Sequence, residues 1–439
     1  MGRRAVFDAQ RRQACSGITS IKQNHECWIG AHYMRIAYVA NYQGPTLLKK
    51  RPVVLNRSMS NAVKIELIAN SLLNSGNHVE IISQGEVVES KLTLYPSFSE
   101  PELFNPQIPV YYASSLPVRR LNGLWSNNAT LALLKARHRA QAYDAVIVFN
   151  LKGPQLQCGK YALRQLDLPV VLEYEDDGFV NVGGEQGGGA LQRYRDRSCR
   201  KFLRMVSGCM AVSPHLLSQL PAATPKMLLR GVVGDDLIST RDTLNESRRN
   251  WVLFSGTHIH SNGIAELIRA WPQVGIRGWE LHITGYGQLT DELRSMATEV
   301  PGIVFHGLVS RAELVRLMAL SKICINPHAV SHTPGNVFAF KIIEYLATGA
   351  HVVTTPMGTL ENDVERGITY MDNNDPTTIA MTLRHVMQNN IWLRSAAVDV
   401  CARYGTARVT KDLTRLLDQA LSRKQSTPAD TSMAARRAV

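Results

Sequence analysis

Apolar positions along this chain alternate between two rhythms. Short runs of β-branched and aromatic residues read as strands buried on both faces, and between them lie longer stretches with apolar residues at three- and four-residue steps, which read as helices. Arg35-Ile36-Ala37-Tyr38-Val39-Ala40 is the first predicted strand, and Asn41-Tyr42-Gln43-Gly44-Pro45 is the loop after it. Ser60 to Leu73 is predicted helical, with Val63, Leu67, Ile68 and Leu72 on one stripe. Ser75-Gly76-Asn77 stops that helix, and His78 to Ile82 is the second strand. Strand, helix, strand implies parallel pairing through a right-handed crossover.

The pattern repeats. Strands are predicted at Tyr143–Phe149, Pro169–Tyr174 and Ser207–Val212, with helices at Gln155–Leu166 and from His215. A second series follows: strands at Trp251–Phe254, Trp279–Thr284, Ile303–Leu308 and Ile323–Pro327, with helices at Gly263–Trp271, Arg311–Leu320, Pro376–Met387 and Val409–Leu421. At 439 residues the chain exceeds one ordinary core. The fold class expected is α/β, with two tandem Rossmann-like doubly wound domains facing across a cleft. The expected boundaries are a loose basic extension over 1–33, a first domain over 34–235, a linker over 236–250, a second domain over 251–423 and a disordered tail over 424–439. In such sheets ligands bind beyond the carboxyl ends of the strands.

One stretch organises the rest, from Pro334-Gly335-Asn336-Val337 to Glu344-Tyr345-Leu346-Ala347-Thr348-Gly349. It reads as a turn, an Asn336 N-cap, a largely buried helix from Val337 to Leu346 and a glycine stop, before the strand His351–Thr355. First-turn amides lack intrahelical partners and carry partial positive charge, so this helix start suits phosphate. Lys341 and Glu344 share a helical face. There the carboxylate could accept from ribose hydroxyls, or the two could form an ordinary surface ion pair.

Seven cysteines, an odd number with no CxxC pair, argue for reduced thiols rather than a disulfide framework or zinc site. A net charge of +13 points to an anionic partner. No RNA or zinc-finger motif accompanies the charge, which leaves an anionic membrane surface or a phosphate-bearing ligand and argues against nucleic acid. No apolar run is long enough to span a bilayer, and the basic start lacks the apolar stretch of a secretory signal. The glycine run Gly183–Gly189 is not a P-loop, and no GxGxxG follows either first strand, which argues against a dehydrogenase. His258 and His260 have ligand-like spacing but no third partner, so no metal site is expected.

With these elements in order, the second half resembles the nucleotide-sugar domain of the family-four retaining glycosyltransferases with the GT-B fold. Phe254-Ser255-Gly256 with Gly263, Ile283-Thr284-Gly285-Tyr286-Gly287, Val304 to Val309 with Glu313-Leu314, and Asn326-Pro327 leading into the Gly335–Gly349 helix carry the resemblance. It implies that Glu344 binds the donor's ribose, and that the backbone of Gly335, Asn336 and Val337 meets the diphosphate or sugar. His328 would lie in the same pocket, with Gly256, Thr257 and Gly285 on the phosphate side. The family's first acidic residue falls here on Asn336, which can still hydrogen-bond a sugar hydroxyl. Its diphosphate-clasping Arg and Lys fall on Thr257 and Asn262, leaving Lys341 as the nearest cation. Glu175-Asp176 stands where a His-Asp pair often follows the fourth strand, as the candidate for orienting the acceptor hydroxyl, with Gly44 on the same acceptor side.

The activity implied is retaining transfer of a hexosyl group from a UDP- or GDP-linked sugar to a saccharide or lipid-linked saccharide acceptor. It serves surface polysaccharide or glycolipid synthesis, without metal or cofactor, in the cytoplasm and with contact to the inner membrane face through basic residues. Two rival readings are a nucleotide-sugar epimerase or phosphorylase of the same fold, and a non-catalytic partner of a glycan assembly complex.

Overall fold

The computed structural model describes residues 33–51, 54, 59–87, 93–101, 104–118, 121–176, 190–244, 247–330, 338–357, 362–391 and 395–426. The expected extension (1–32 of it), the Gly183–Gly189 run, the turn holding Gly335, Asn336 and Val337, and residues 427–439 of the expected tail lie outside the described residues. By internal packing the chain divides into residues 1–34 and residues 35–439. Both sheets belong to the second unit.

The first sheet has eight strands: β1 Arg35–Ala40, β2 His78–Ser83, β3 Phe98–Pro101, β4 Pro109–Tyr112, β5 Ala145–Phe149, β6 Val170–Tyr174, β7 Gly208–Ala211 and β8 Lys226–Leu228. Their order is β3-β4-β2-β1-β5-β6-β7-β8, and only the edge strand β3 runs antiparallel to its neighbour. β1 pairs with both β2 and β5 and is buried along its whole length, as the apolar run Ile36–Ala40 requires, with Arg35 at its start paired to Glu80. The second sheet has six strands: β9 Arg249–Ser255, β10 Glu280–Thr284, β11 Ile303–Gly307, β12 Ser321–Asn326, β13 His351–Thr354 and β14 Ile368–Tyr370. Their order is β11-β10-β9-β12-β13-β14, all parallel.

Alternation along β9 sorts its side chains between two layers. Val252 and Phe254 join the cluster of the helices Ile264–Val274 and Pro376–Gln388, whereas Trp251 and Leu253 face the helix Arg311–Leu320. The latter cluster is continuous with the core of the first sheet, so one apolar body supports both.

The structure corrects two expectations and adds detail to a third. The segment expected as a linker, 236–250, is largely a helix, Asp235–Leu244, and β9 begins at Arg249. Asp235 and Asp236 lie in its first turn, where carboxylates suit the helix dipole. The last helix, Thr406–Ser426, packs on Met59–Asn74 and on β6, β7 and β8 of the first sheet rather than closing a second domain at 423, and it takes in residues 424–426 of the expected tail. Its Leu416 and Ala420 lie against Gly208 of β7. Finally, the helix expected from Val337 begins at Lys341. Phe340 packs where a Cβ on Gly231 would stand 2.4 Å from its ring, and Phe338 lies under the Arg230 guanidinium. These aromatic contacts hold the preceding residues on the segment after β8.

Candidate active site

Because all six strands of the second sheet are parallel, the exits of β9, β10, β11, β12 and β13 lie on one edge. Two glycine turns meet there. Gly256 N donates to Thr284 O (3.2 Å), His258 N to Tyr286 O (3.2 Å) and Gly285 N to Gly307 O (2.9 Å). Gly285 has φ +127°, and a Cβ on it would stand 1.9 Å from the Gly256 carbonyl oxygen. Only glycine lets the turns approach so closely. Gly263 does the same for the β12 exit: its φ is +66°, and a Cβ would meet the Pro327 carbonyl oxygen at 1.9 Å. Thr257 is exposed, and its carbonyl accepts from Asn262 Nδ2 at 2.6 Å. The two positions expected to hold cations therefore staple a loop.

The helix Lys341–Ala347 aims three side chains at this edge. Lys341 Nζ donates to the Ser255 carbonyl (3.1 Å) and lies 4.7 Å from the centre of the Phe254 ring. Burial pushes its pKa down to about 8. Tyr345 Oη accepts from Ser255 N (3.0 Å) and donates to Ser255 O (3.3 Å), fixing the strand end. Glu344 is nearly buried, and its carboxylate pairs with Arg311 Nη1 (2.5 Å), not with Lys341. Arg311 Nε in turn holds Asp236 (2.9 Å). Burial opposes the Arg311 charge, but Glu344 and Asp236 outweigh it and raise its pKa above the ordinary value.

His328 follows β12. Its Nδ1 donates to the Ala329 carbonyl (2.8 Å), and its own carbonyl accepts from Thr355 Oγ1 (2.7 Å). Burial lowers its pKa, the bond to Ala329 opposes this, and the Lys341 charge adds to the fall, so the ring is neutral beside that ammonium. His258 does not pair with His260: it is buried with Nδ1 against Thr290 Oγ1 at 3.0 Å.

At the carboxyl end of the first sheet, Asn150 has φ +62°, a conformation asparagine tolerates better than most residues. Its Oδ1 accepts from Glu175 N (2.7 Å) and Asp176 N (3.0 Å), and its Nδ2 donates to Asp176 Oδ2 (3.1 Å). Glu175 pairs with the buried Lys64, which also lies 3.7 Å from Glu173, itself bonded to Tyr38 Oη. Burial raises the pKa of Asp176, and the Glu175 charge adds to it. Gly44 is buried and caps the short helix Pro45–Lys50.

The structure thus brings Gly256, Thr257, Gly285, His328 and Lys341 onto one edge, and sets Glu344 on the same helix as Lys341. It joins Glu175 to Asp176 through Asn150. Among the described residues no hydrogen bond or ion pair links these two groups to each other. Arg311, Asp236, Tyr345, Asn150 and Lys64 escaped the sequence reading. Two of them carried a signal: Lys64 interrupts an apolar stripe, and Arg311 puts a cation in a first helical turn, against the dipole.

Residues 249–389 match the family model described as Glycosyl transferases group 1. No curated protein matches the chain. Among solved structures, the chain is similar to sucrose-phosphate synthase from Thermosynechococcus elongatus, with TM-score 0.67 and 16% identity over 88% of this chain and 99% of that one. It is similar to HepE from Anabaena in complex with UDP and glucose (TM-score 0.60, 15% identity, 88% and 100% covered). UDP-GlcNAc 2-epimerase from Neisseria meningitidis bound to UDP-GlcNAc also shares the architecture (TM-score 0.55, 12% identity, 88% and 99% covered). At these identities the shared property is the fold.

Proposed function

We propose that this chain, which carries a glycosyl transferases group 1 domain in a GT-B fold, moves a hexosyl group from a nucleotide-diphosphate sugar to an acceptor hydroxyl with retention. The observation that carries the reading is the Lys341–Ala347 helix. It sends an ammonium to the β9 exit and holds a buried carboxylate three residues on, at the edge where a parallel sheet takes ligands. In the proposed mechanism Glu344 accepts from the ribose hydroxyls. Lys341 faces the diphosphate, where Thr257 and Asn262 supply no charge. Bond cleavage leaves negative charge on the diphosphate, and a fixed ammonium and backbone amides stabilise that charge without reorganising. Glu175 and Asp176, held by Asn150, orient the acceptor hydroxyl, whose proton passes to the departing phosphate. HepE is described with UDP and glucose, which makes a UDP-linked hexose the first donor to test.

Calorimetric titration with UDP, GDP and ADP, on wild type and Glu344→Ala, tests this. One nucleotide should bind and lose affinity in the variant, and binding of none would sink the transferase reading in favour of a non-catalytic partner. The resemblance to the UDP-GlcNAc 2-epimerase supports a second reading. Epimerised donor formed with no acceptor present would favour it.

A further inference from the structure

We infer that Arg311 is a positioning residue for the donor's ribose, aiming the Glu344 carboxylate with its own far end anchored on Asp236. The inference rests on the reading of Glu344 as the ribose acceptor and adds to it a residue which that reading does not contain.

The argument begins with a carboxylate almost out of water. Glu344 is 5% exposed, and removing one partner of a buried ion pair leaves the other uncompensated. A carboxylate offers about four lone-pair sites and only accepts, which suits two adjacent hydroxyl donors. Arg311 Nη1 occupies one site on Oε1 and supplies the compensating charge. A guanidinium stays protonated throughout the working pH range.

Geometry then fixes the aim. Arg311 opens the helix Arg311–Leu320, and the Ser310 cap accepts from Glu313 N at 3.2 Å, setting where that helix starts. A cation in a first turn opposes the helix dipole, so local structure does not favour arginine here. Its two carboxylate partners account for the placement. Asp236 Oδ2 takes Nε at 2.9 Å from the first turn of Asp235–Leu244, the segment that leads from the first sheet to the second. The rigid fork thus spans two carboxylates on two helices, which a lysine, as a point charge, cannot do with the same directionality. Arg316, a turn later on the same helix, pairs instead with Glu313 in the open, so the inward role belongs to Arg311.

The experiment measures how far binding depends on the ribose hydroxyls. Wild type, Arg311→Met, Arg311→Lys and Asp236→Asn are titrated with UDP and with 2′,3′-dideoxy-UDP, or with the GDP or ADP pair if wild type prefers that base. Wild type should favour the ribonucleotide by about tenfold or more, as hydrogen bonds to a charged group allow. In Arg311→Met that ratio should fall towards one while the dideoxy form keeps its wild-type affinity. Arg311→Lys should restore part of the ratio, and Asp236→Asn should lower it less than Arg311→Met does. A full wild-type ratio in Arg311→Met overturns the inference and leaves the ribose reading intact. A wild-type ratio of one overturns both. If Arg311→Met does not fold, a full wild-type ratio in both Arg311→Lys and Asp236→Asn also overturns it.

Discussion

Replacing Lys341 by methionine separates what this side chain does for a ligand from what it does for the fold. Among the described residues its buried ammonium has three neighbours: the Ser255 carbonyl at 3.1 Å, the Phe254 ring at 4.7 Å and the neutral His328. None of these is an anion, and burial depresses the pKa to about 8 from an ordinary 10.5. The charged lysine therefore costs the fold stability at neutral pH. Between those two values the unfolded chain binds more protons than the folded one, so stability attributable to this group rises with pH across that window. Methionine removes the cost. It forfeits a cation–π contact of about 0.5–1 kcal/mol and one hydrogen bond, but Ser255 O keeps its bond from Tyr345. The net change at pH 7 should lie within about 1 kcal/mol of zero, with no rise above pH 8.

Binding should respond in the opposite sense. A hydrogen bond from a charged donor is worth about 1.5–3 kcal/mol, so Lys341→Met should weaken a nucleoside diphosphate about ten- to hundredfold and leave the nucleoside unaffected. In wild type the affinity should fall as pH rises through about 8, because the free ammonium deprotonates there. The variant should show a flat profile. Calorimetry with UDP and uridine from about pH 6.5 to about 9.5, with urea unfolding of both proteins, provides every quantity. A variant that binds UDP within about twofold of wild type, or a flat wild-type profile, would refute the assignment of Lys341 to the diphosphate.

Two further outcomes follow. Gly285→Ala puts a Cβ 1.9 Å from a backbone oxygen at φ +127°, so the two turns must separate; thermal unfolding should show a loss of about 3 kcal/mol or more, and a loss under about 1 would mean the turns adapt freely. The net charge of +13 predicts salt-sensitive co-flotation with anionic liposomes but not neutral ones, and equal recovery from both would count against an electrostatic contact.

The elements that sequence made legible were those whose pattern is local. The predicted strands 35–40, 143–149 and 251–254 hold the unbroken apolar runs Ile36–Ala40, Ala145–Phe149 and Trp251–Phe254, and each run lies inside an observed strand. What failed was long-range. β3, β4 and the helix Asn122–Ala140 lie in a stretch without clean periodicity, and β8 spans only Lys226–Leu228. The amphipathic pattern of Thr406–Ser426 announces a helix, but nothing local says which sheet will cover its apolar face; Leu416 and Ala420 meet Gly208, some two hundred positions earlier.

The site divides along the same line. Three-residue spacing places Lys341 and Glu344 on one face, and one reading of that spacing is that they pair with each other. They do not, because Ser255 and Arg311 arrive from other strands and helices and take one each. A clue to the Arg311 partnership was present in the sequence, where Arg311 opens a predicted helix, the end at which a cation is least welcome; Lys341 takes that place only in the structure, where its helix starts four residues later than expected. A residue that local electrostatics disfavours is held by something distant. For Arg311 that is a pair of carboxylates; for Lys341, whose described neighbours are all neutral, the proposed counterpart is the diphosphate of the donor.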